Sequence, residues 1–386
     1  MNRWAALLAA GAVASASAST SGAAGPVPVG SPAVAGYQPV GVDEQGLWGE
    51  MAEAERALKV SKLLVRDEEL TSYLRKVLCR VASADACQTV RILIVRDPQF
   101  NAGMTPNGML LINSGLLLRV RSEAELAAIL GHELSHFERR HSLARLKAAR
   151  SATGWAAFLG AAGAGPLGLA LIGNFFSFSQ EQEREADLDG LKGMRAAGYR
   201  SRSAGDIWAN LRAEMDATAA ARNVRSRKDK RGMFDTHPAT AERLAYLRSS
   251  TVDDPEGEAG EAAFRAAISP LWPMLIDDQV KLNDFGGSEY LLAGLATSGW
   301  TGPLLYARGE LYRYRGQAGD FEKAAGFYRE AIAKPDAPAG AWRGLGLALA
   351  RTGDGAAAKA SIDEYLKRNP QASDKAMLAM ISGGSQ

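Results

Sequence analysis

The chain has 386 residues, 47% of them hydrophobic and 23% charged, which gives room for two or three domains and describes an ordinary globular protein. Its formal net charge is +2, so it lacks the strong basic excess that marks nucleic-acid binders, and no nucleic-acid partner is expected.

The N-terminus reads as a targeting segment. Arg3 supplies a positive start, Trp4 to Val13 is an apolar run of signal-peptide length, and Ala14-Ser15-Ala16 or Ala16-Ser17-Ala18 offers a small-residue cleavage site. The run is short for a membrane span. No cysteine follows it to carry a lipid anchor. Residues 1–18 are therefore expected to direct export. Residues 19–45, rich in Gly, Pro, Ser and Val, are expected to be a flexible linker. Cysteine usage agrees with export: Cys79 and Cys87 are the only two, and in an oxidising compartment they are expected to pair and tie a helix end to the next strand.

Residues 46–80 read as helical, with Leu47, Met51, Ala54, Leu58, Leu63 and Leu64 set among charges. Val90 to Val95 reads as a strand, followed by a turn at Asp97-Pro98. A break at Pro106-Asn107-Gly108 precedes a second strand over 109–113, giving a hairpin-like pair. Ser122 and Glu125 then form a capping box that starts a helix.

That helix carries Ile129-Leu130-Gly131-His132-Glu133-Leu134-Ser135-His136. Helical spacing puts His132 and His136 one turn apart on one face, where both imidazoles reach a single metal ion. Glu133 projects beside them, placed to deprotonate a water as general base. Two neutral histidines suit Zn²⁺, one ion per chain, and a catalytic site takes a third protein ligand and keeps a position for water. Leu126, Ile129, Leu130 and Leu134 make this a buried helix, where two imidazoles and a carboxylate are costly without a metal.

The third ligand is expected in the acidic helical run from Ser179 to Asp187. Glu183 and Asp187 are four apart and share a face, which suits one carboxylate on the metal and the other orienting a histidine. The residues alone leave Glu181, Glu183 and Glu185 open as the ligand.

Taken together, the His-Glu-x-x-His helix and the later Ser-x-x-x-Glu-x-Glu-Ala-Asp segment resemble zinc peptidases of the HtpX/CAAX-protease type, with the periplasmic BepA-like proteins as the most similar subgroup. Asn101-Ala102 with Pro106, Gly108 and Gly115-Leu116-Leu117 resembles that family's strand motif, and Thr236-His237-Pro238 with Arg243 resembles its His-Pro-x-x-x-x-Arg motif. Gln180 stands where the family usually has arginine, a supporting contact rather than a ligand. The resemblance covers roughly residues 50–250. It implies His132, His136 and Glu183 as zinc ligands, Glu133 as catalytic base, and Asp187 and Arg243 behind the ligands. It also implies that Asn101 and the strand near Gly108 bind substrate backbone by strand addition. His237 has three readings: a fourth ligand that holds the enzyme shut, an oxyanion stabiliser, or a packing histidine beside Pro238.

Trp155 to Phe178 carries no charge but is interrupted by glycines and Pro166, so two short apolar helices are expected, packed on the zinc helix or touching a membrane surface. Residues 251–262 are polar and acidic and mark a domain boundary after a peptidase domain of 46–250. Residues 263–386 are expected to be all-helical, with tetratricopeptide-like copies around Leu305, Gly309, Tyr312, Ala324, Tyr328 and Ala331, and again around Trp342, Leu345, Gly346 and Pro370. The expected architecture is α+β and mostly helical: a zincin-like domain with a small sheet, then a helical repeat domain. The resemblance implies an exported, periplasmic endopeptidase acting on unfolded or misassembled envelope proteins. Its repeats would recruit an outer-membrane assembly machinery. A chaperone or adaptor with a latched site is the alternative.

Overall fold

A computed structural model describes residues 31–149, 178–225, 237 and 240–383. The expected signal peptide, most of the apolar stretch 155–178 and most of the basic loop 222–231 lie outside the described residues. Among those described, no helix is long and apolar enough to cross a membrane.

The expected single helical region is two helices and a short third: α1 (Gly41–Val60), α2 (Glu68–Val81) and α3 (Ala84–Thr89). The chain breaks after Val60 because Leu64 bridges to Val95 and Asp67 caps the next helix, accepting from the Leu70 amide. Helix α1 begins inside the stretch read as linker, and Ala33 ahead of it is buried, its carbonyl accepting from the Thr89 hydroxyl at 2.8 Å. Cys79 and Cys87 are disulfide-bonded, joining α2 to α3 rather than to a strand.

The sheet has the order β1-β3-β2, with β1 (Arg91–Val95), β2 (Ala102–Met104) and β3 (Met109–Asn113). The expected hairpin of the first and last strands is corrected. Those two run parallel, Arg91 beside Met109, and the hairpin partner of β3 is the three-residue β2, Ala102 beside Ile112. So short a strand, begun by the apolar pair Ala102-Gly103, leaves little periodicity to read. It follows that β3 is central, while β2 is an edge.

Helices α4 (Ser114–Arg119), α5 (Glu123–Glu138) and α6 (His141–Ala149) follow the sheet. Helix α5 is buried almost throughout. Its start departs slightly from a capping box: Ser122 accepts from the Glu125 amide, but Glu125 reaches back to the Arg121 amide at 2.7 Å. Helices α7 (Gln180–Ala196), α8 (Ser203–Ala221) and α9 (Ala241–Ser250) complete this part.

The acidic stretch 251–262 is not a free linker. Glu258 pairs with Tyr199, the Ala259 carbonyl accepts from the Ala124 amide, and a Cβ on Gly257 would sit 2.5 Å from the Tyr199 backbone. Beyond it, α10 (Glu261–Ile268), α11 (Trp272–Lys281) and α12 (Phe285–Leu295) contribute Phe264, Ile268, Leu275, Val280 and Leu292 to the same hydrophobic core as Leu110, Leu130 and Leu191. A buried arginine ties these parts together. Arg119 forks onto Glu214 of α8 at 2.6 Å and reaches Gln279 of α11 at 2.9 Å and the Pro98 carbonyl at 3.2 Å. The core that holds the peptidase residues therefore continues past 262. Separate small cores begin only with α13 (Gly302–Arg315).

Helices α13 and α14 (Asp320–Ile332), then α15 (Gly340–Thr352) and α16 (Gly355–Arg368), form two helical hairpins, capped by α17 (Lys375–Gly383). Gly316 and Gly319 both take positive φ in the first connection. Tyr328 is fully buried between the hairpins, against Gly309 and Gly344.

Candidate metal centre

The site is built where α5 crosses α7. A Cβ on Gly131 would lie 3.0 Å from the Gly190 Cα, and one on Gly190 would lie 3.1 Å from the His132 amide nitrogen. These two glycines let the helix backbones approach closely, which puts Glu183 and Asp187 within reach of His132 and His136.

His132, His136, Glu183 and His237 are all buried and offer ligand atoms lying within 4.8 Å of one another. The two Nε2 atoms of His132 and His136 are 3.1 Å apart. Glu183 oxygens lie 3.5 Å from each of them, and His237 Nδ1 is 2.8 Å from Glu183 Oε1 and 3.1 Å from His132 Nε2. Four ligands on a tetrahedral zinc with bonds of 2.0–2.1 Å would stand about 3.3 Å apart, so these spacings fit one zinc ion. The chemistry of the donor set supports the fit: three imidazoles and one carboxylate, all buried, are groups that zinc takes as ligands.

The charges behind the ligands are balanced. Asp187 Oδ1 accepts from His132 Nδ1 at 2.8 Å, which leaves Nε2 facing the centre. Arg243 forks onto Asp187 at 2.6 and 2.8 Å, its NH1 stands 3.1 Å from Glu183, and its guanidinium stacks 3.8 Å over Trp208. The Tyr246 hydroxyl also donates to Asp187. Burial raises the Asp187 pKa, but Arg243 and His132 outweigh it and the carboxylate is held below its ordinary range. Glu183 is likewise held well below, by His237 and Arg243 against its burial. Burial pushes the His136 pKa well down, so its ring is neutral, as a metal ligand requires.

Glu133 is 3% exposed and lies 3.3 Å from His237 Nε2. Burial raises its pKa above the usual carboxylate range, partly offset by His237 and His132. For His237, burial lowers the pKa, but Glu183 and Glu133 together raise it. His237 thus stands among the donor atoms that could hold a metal, and Thr236 and Pro238 beside it lie outside the described residues.

A cleft opens beside Glu133, lined by Phe100, Asn101, Ala102, Ile129, Trp208 and His237. Asn101 precedes the edge strand β2 and its carbonyl accepts from the Asn113 amide at 3.0 Å. Gly108 is elsewhere. It sits in the β2–β3 turn at φ +83°, its carbonyl taken by the Arg91 amide, so the expected substrate strand near Gly108 is the central β3 with both sides paired. Among the described residues, the strand edge left unpaired beside β3 is that of β2.

Besides Trp208 and Tyr246, which support Arg243 and Asp187, two residues beside the ligand atoms were not singled out from sequence. The chain has four histidines, and the fourth, His141, also converges here, its Nδ1 2.8 Å from His136 Nδ1. Phe178 stacks on the His136 ring with centroids 3.9 Å apart. The histidine count was the available signal for the first. Phe178 gave none, being one apolar residue at the end of an apolar run.

Residues 65–251 match Peptidase family M48. The chain is 30% identical to the mitochondrial metalloendopeptidase OMA1 of Schizosaccharomyces pombe over 53% of this chain and 59% of the relative. It is 31% identical to the beta-barrel assembly-enhancing protease of Yersinia pestis over 37% of this chain and 33% of that one. It is 28% identical to the metalloprotease LoiP of Escherichia coli over 54% of this chain and 88% of that one. The chain thus spans less than two thirds of the first two relatives. Peptidases of the HtpX type form a different branch of the same family. With the buried ligand set and Glu133 in place, residues 65–251 are a Peptidase family M48 domain that carries a zinc-metallopeptidase centre.

Proposed function

We propose that the protein is an exported zinc endopeptidase that hydrolyses peptide bonds of unfolded or misassembled envelope proteins in the periplasm, in quality control of outer-membrane proteins. The observation that carries the enzymatic part is the convergence of His132, His136 and Glu183 with Glu133 beside them. When bound there, zinc supplies a Lewis acid that polarises a carbonyl and makes a water acidic. Glu133, its pKa raised by burial, takes the proton from the attacking water and hands it to the leaving amine nitrogen. Asp187 and Arg243 hold His132 in one tautomer throughout.

Substrate recognition follows from the sheet. The edge of β2, unpaired among the described residues, runs beside the cleft at Glu133, and an extended chain added there is read through its backbone. Main-chain recognition favours unfolded substrates over particular sequences. Export is supported by the N-terminal apolar run and by the Cys79–Cys87 disulfide. The C-terminal hairpins are the candidate surface for an outer-membrane assembly partner. The beta-barrel assembly-enhancing proteases among the relatives carry that role in their name.

A second reading, a chaperone or adaptor with a latched protease site, is favoured by one observation. His237 Nδ1 fills the fourth position around the centre, where a working site keeps room for water and substrate. One experiment separates the two: cleavage of an unfolded model protein by the full chain, its Glu133→Gln variant and its His237→Ala variant. Cleavage lost in Glu133→Gln establishes the peptidase, and higher activity in His237→Ala identifies the latch. Equal activity in wild type and Glu133→Gln, with none gained in His237→Ala, contradicts the enzymatic reading.

A further inference from the structure

His132 and His136 are equivalent as ligands but not in what stands behind them. His132 donates its Nδ1 proton to a carboxylate, Asp187. His136 has no carboxylate at its Nδ1 among the described residues. Its Nδ1 faces His141 Nδ1 at 2.8 Å, and His141 Nε2 in turn lies 3.4 Å from Glu185. Two ring nitrogens at that distance share one proton. With Nε2 of His136 turned to the centre, the proton belongs on His136 Nδ1, and His141 accepts it through a bare Nδ1 while carrying its own proton on Nε2 toward Glu185.

The backbone that brings His141 to this place is unusual. Helix α5 ends at Glu138, and Arg140 takes φ +60°, a left-handed conformation that costs a non-glycine residue energy. Arg140 is anchored there by the segment ahead of the peptidase residues. Its NH2 pairs with buried Glu44 at 2.5 Å and its NH1 donates to the Tyr37 hydroxyl at 2.8 Å. The left-handed step reverses the chain at once, so the first residue of α6 is His141, aimed back at His136. Sequence spacing alone does not produce this contact. A continuous helix would carry position 141 round to a different face from 136.

We infer that His141 is a positioning residue for the zinc ligand His136: it accepts the His136 Nδ1 proton, fixes that ring with Nε2 toward the metal, and is itself held in place by Arg140 on Glu44 and Tyr37. The inference rests on the zinc reading above. It differs from the Asp187 arrangement in using a neutral acceptor, which leaves the ligand less negatively biased. The zinc set then has one strongly supported histidine and one more lightly supported.

The test is zinc affinity, measured by chelator competition on the full chain, for wild type, His141→Ala and His141→Asn. Loss of such an outer partner typically weakens metal binding by about 10–100-fold, and that is the expected loss for His141→Ala. Asparagine places its Oδ1 close to where Nδ1 stands, so His141→Asn is expected to recover most of it. If wild type binds no zinc, the zinc reading and this inference fall together. If wild type binds and His141→Ala binds equally well, only the inference falls. An asparagine variant as weak as alanine would also overturn it, since shape would then matter and the hydrogen bond would not. A second measurement needs no variant: nitrogen-15 spectra of the zinc-loaded wild type, expected to have a proton on His136 Nδ1 and none on His141 Nδ1. Metal on His136 Nδ1 contradicts the assignment.

Discussion

In the metal centre Glu133, Glu183, Asp187 and Arg243 are all buried beside imidazoles, whereas the hairpins from Gly302 onward bury mainly alanines, leucines and Tyr328. Both regions rely on helices that approach closely through glycine. In the centre, Gly131 and Gly190 bring backbones together so that charged side chains can meet. In the hairpins, Gly309 and Gly344 make space for one aromatic ring. The first region holds charges in place at a cost in desolvation, and the second gains from apolar burial. The centre should therefore be sensitive to loss of any one charge, and the hairpins to changes of volume.

The largest effect is expected at Arg243. Its removal leaves Asp187 and Glu183 buried beside each other without their shared cation. Breaking a buried ion pair by deleting one partner costs about 3–5 kcal/mol, so Arg243→Ala should lose that much in denaturant unfolding and lose zinc and cleavage with it. A variant with wild-type stability would break the contrast, because the charges would then not depend on one another.

A smaller effect is expected at Gly344, where an added Cβ would lie 2.4 Å from the Tyr328 ring. Overpacking of this kind costs about 1–3 kcal/mol. Gly344→Ala should show it as a lower unfolding midpoint, with zinc affinity and cleavage per folded molecule unchanged. Loss of zinc in this variant would mean that the hairpins and the centre are coupled, and the comparison would need redrawing.

How much of this was legible beforehand follows the range of each interaction. The pairing of His132 with His136, and of Glu183 with Asp187, is set within one helical turn, so spacing gives it directly. That Glu183 rather than Glu181 or Glu185 reaches the centre depends on the crossing at Gly131 and Gly190, and only the family resemblance pointed there. Arg243 came the same way. His141 was missed because a left-handed residue at Arg140, held by Glu44 and Tyr37 far back in the chain, decides where it points. The parallel pairing of β1 with β3 was missed because β2 is too short to announce itself. The acidic stretch after residue 250 looked like a boundary by composition. Gly257 and Glu258 nonetheless pack on Tyr199, and the core runs on through Phe264 and Leu275. Polarity marks a surface, which a docked segment also has.

The account stands on one metal held by His132, His136 and Glu183. The most direct test is elemental analysis of the full chain purified without added metal, beside a His132→Ala/His136→Ala double variant. A single site predicts about one zinc per chain in the wild type and essentially none in the double variant. A metal-free wild type after incubation with zinc, or equal zinc in both proteins, would contradict it.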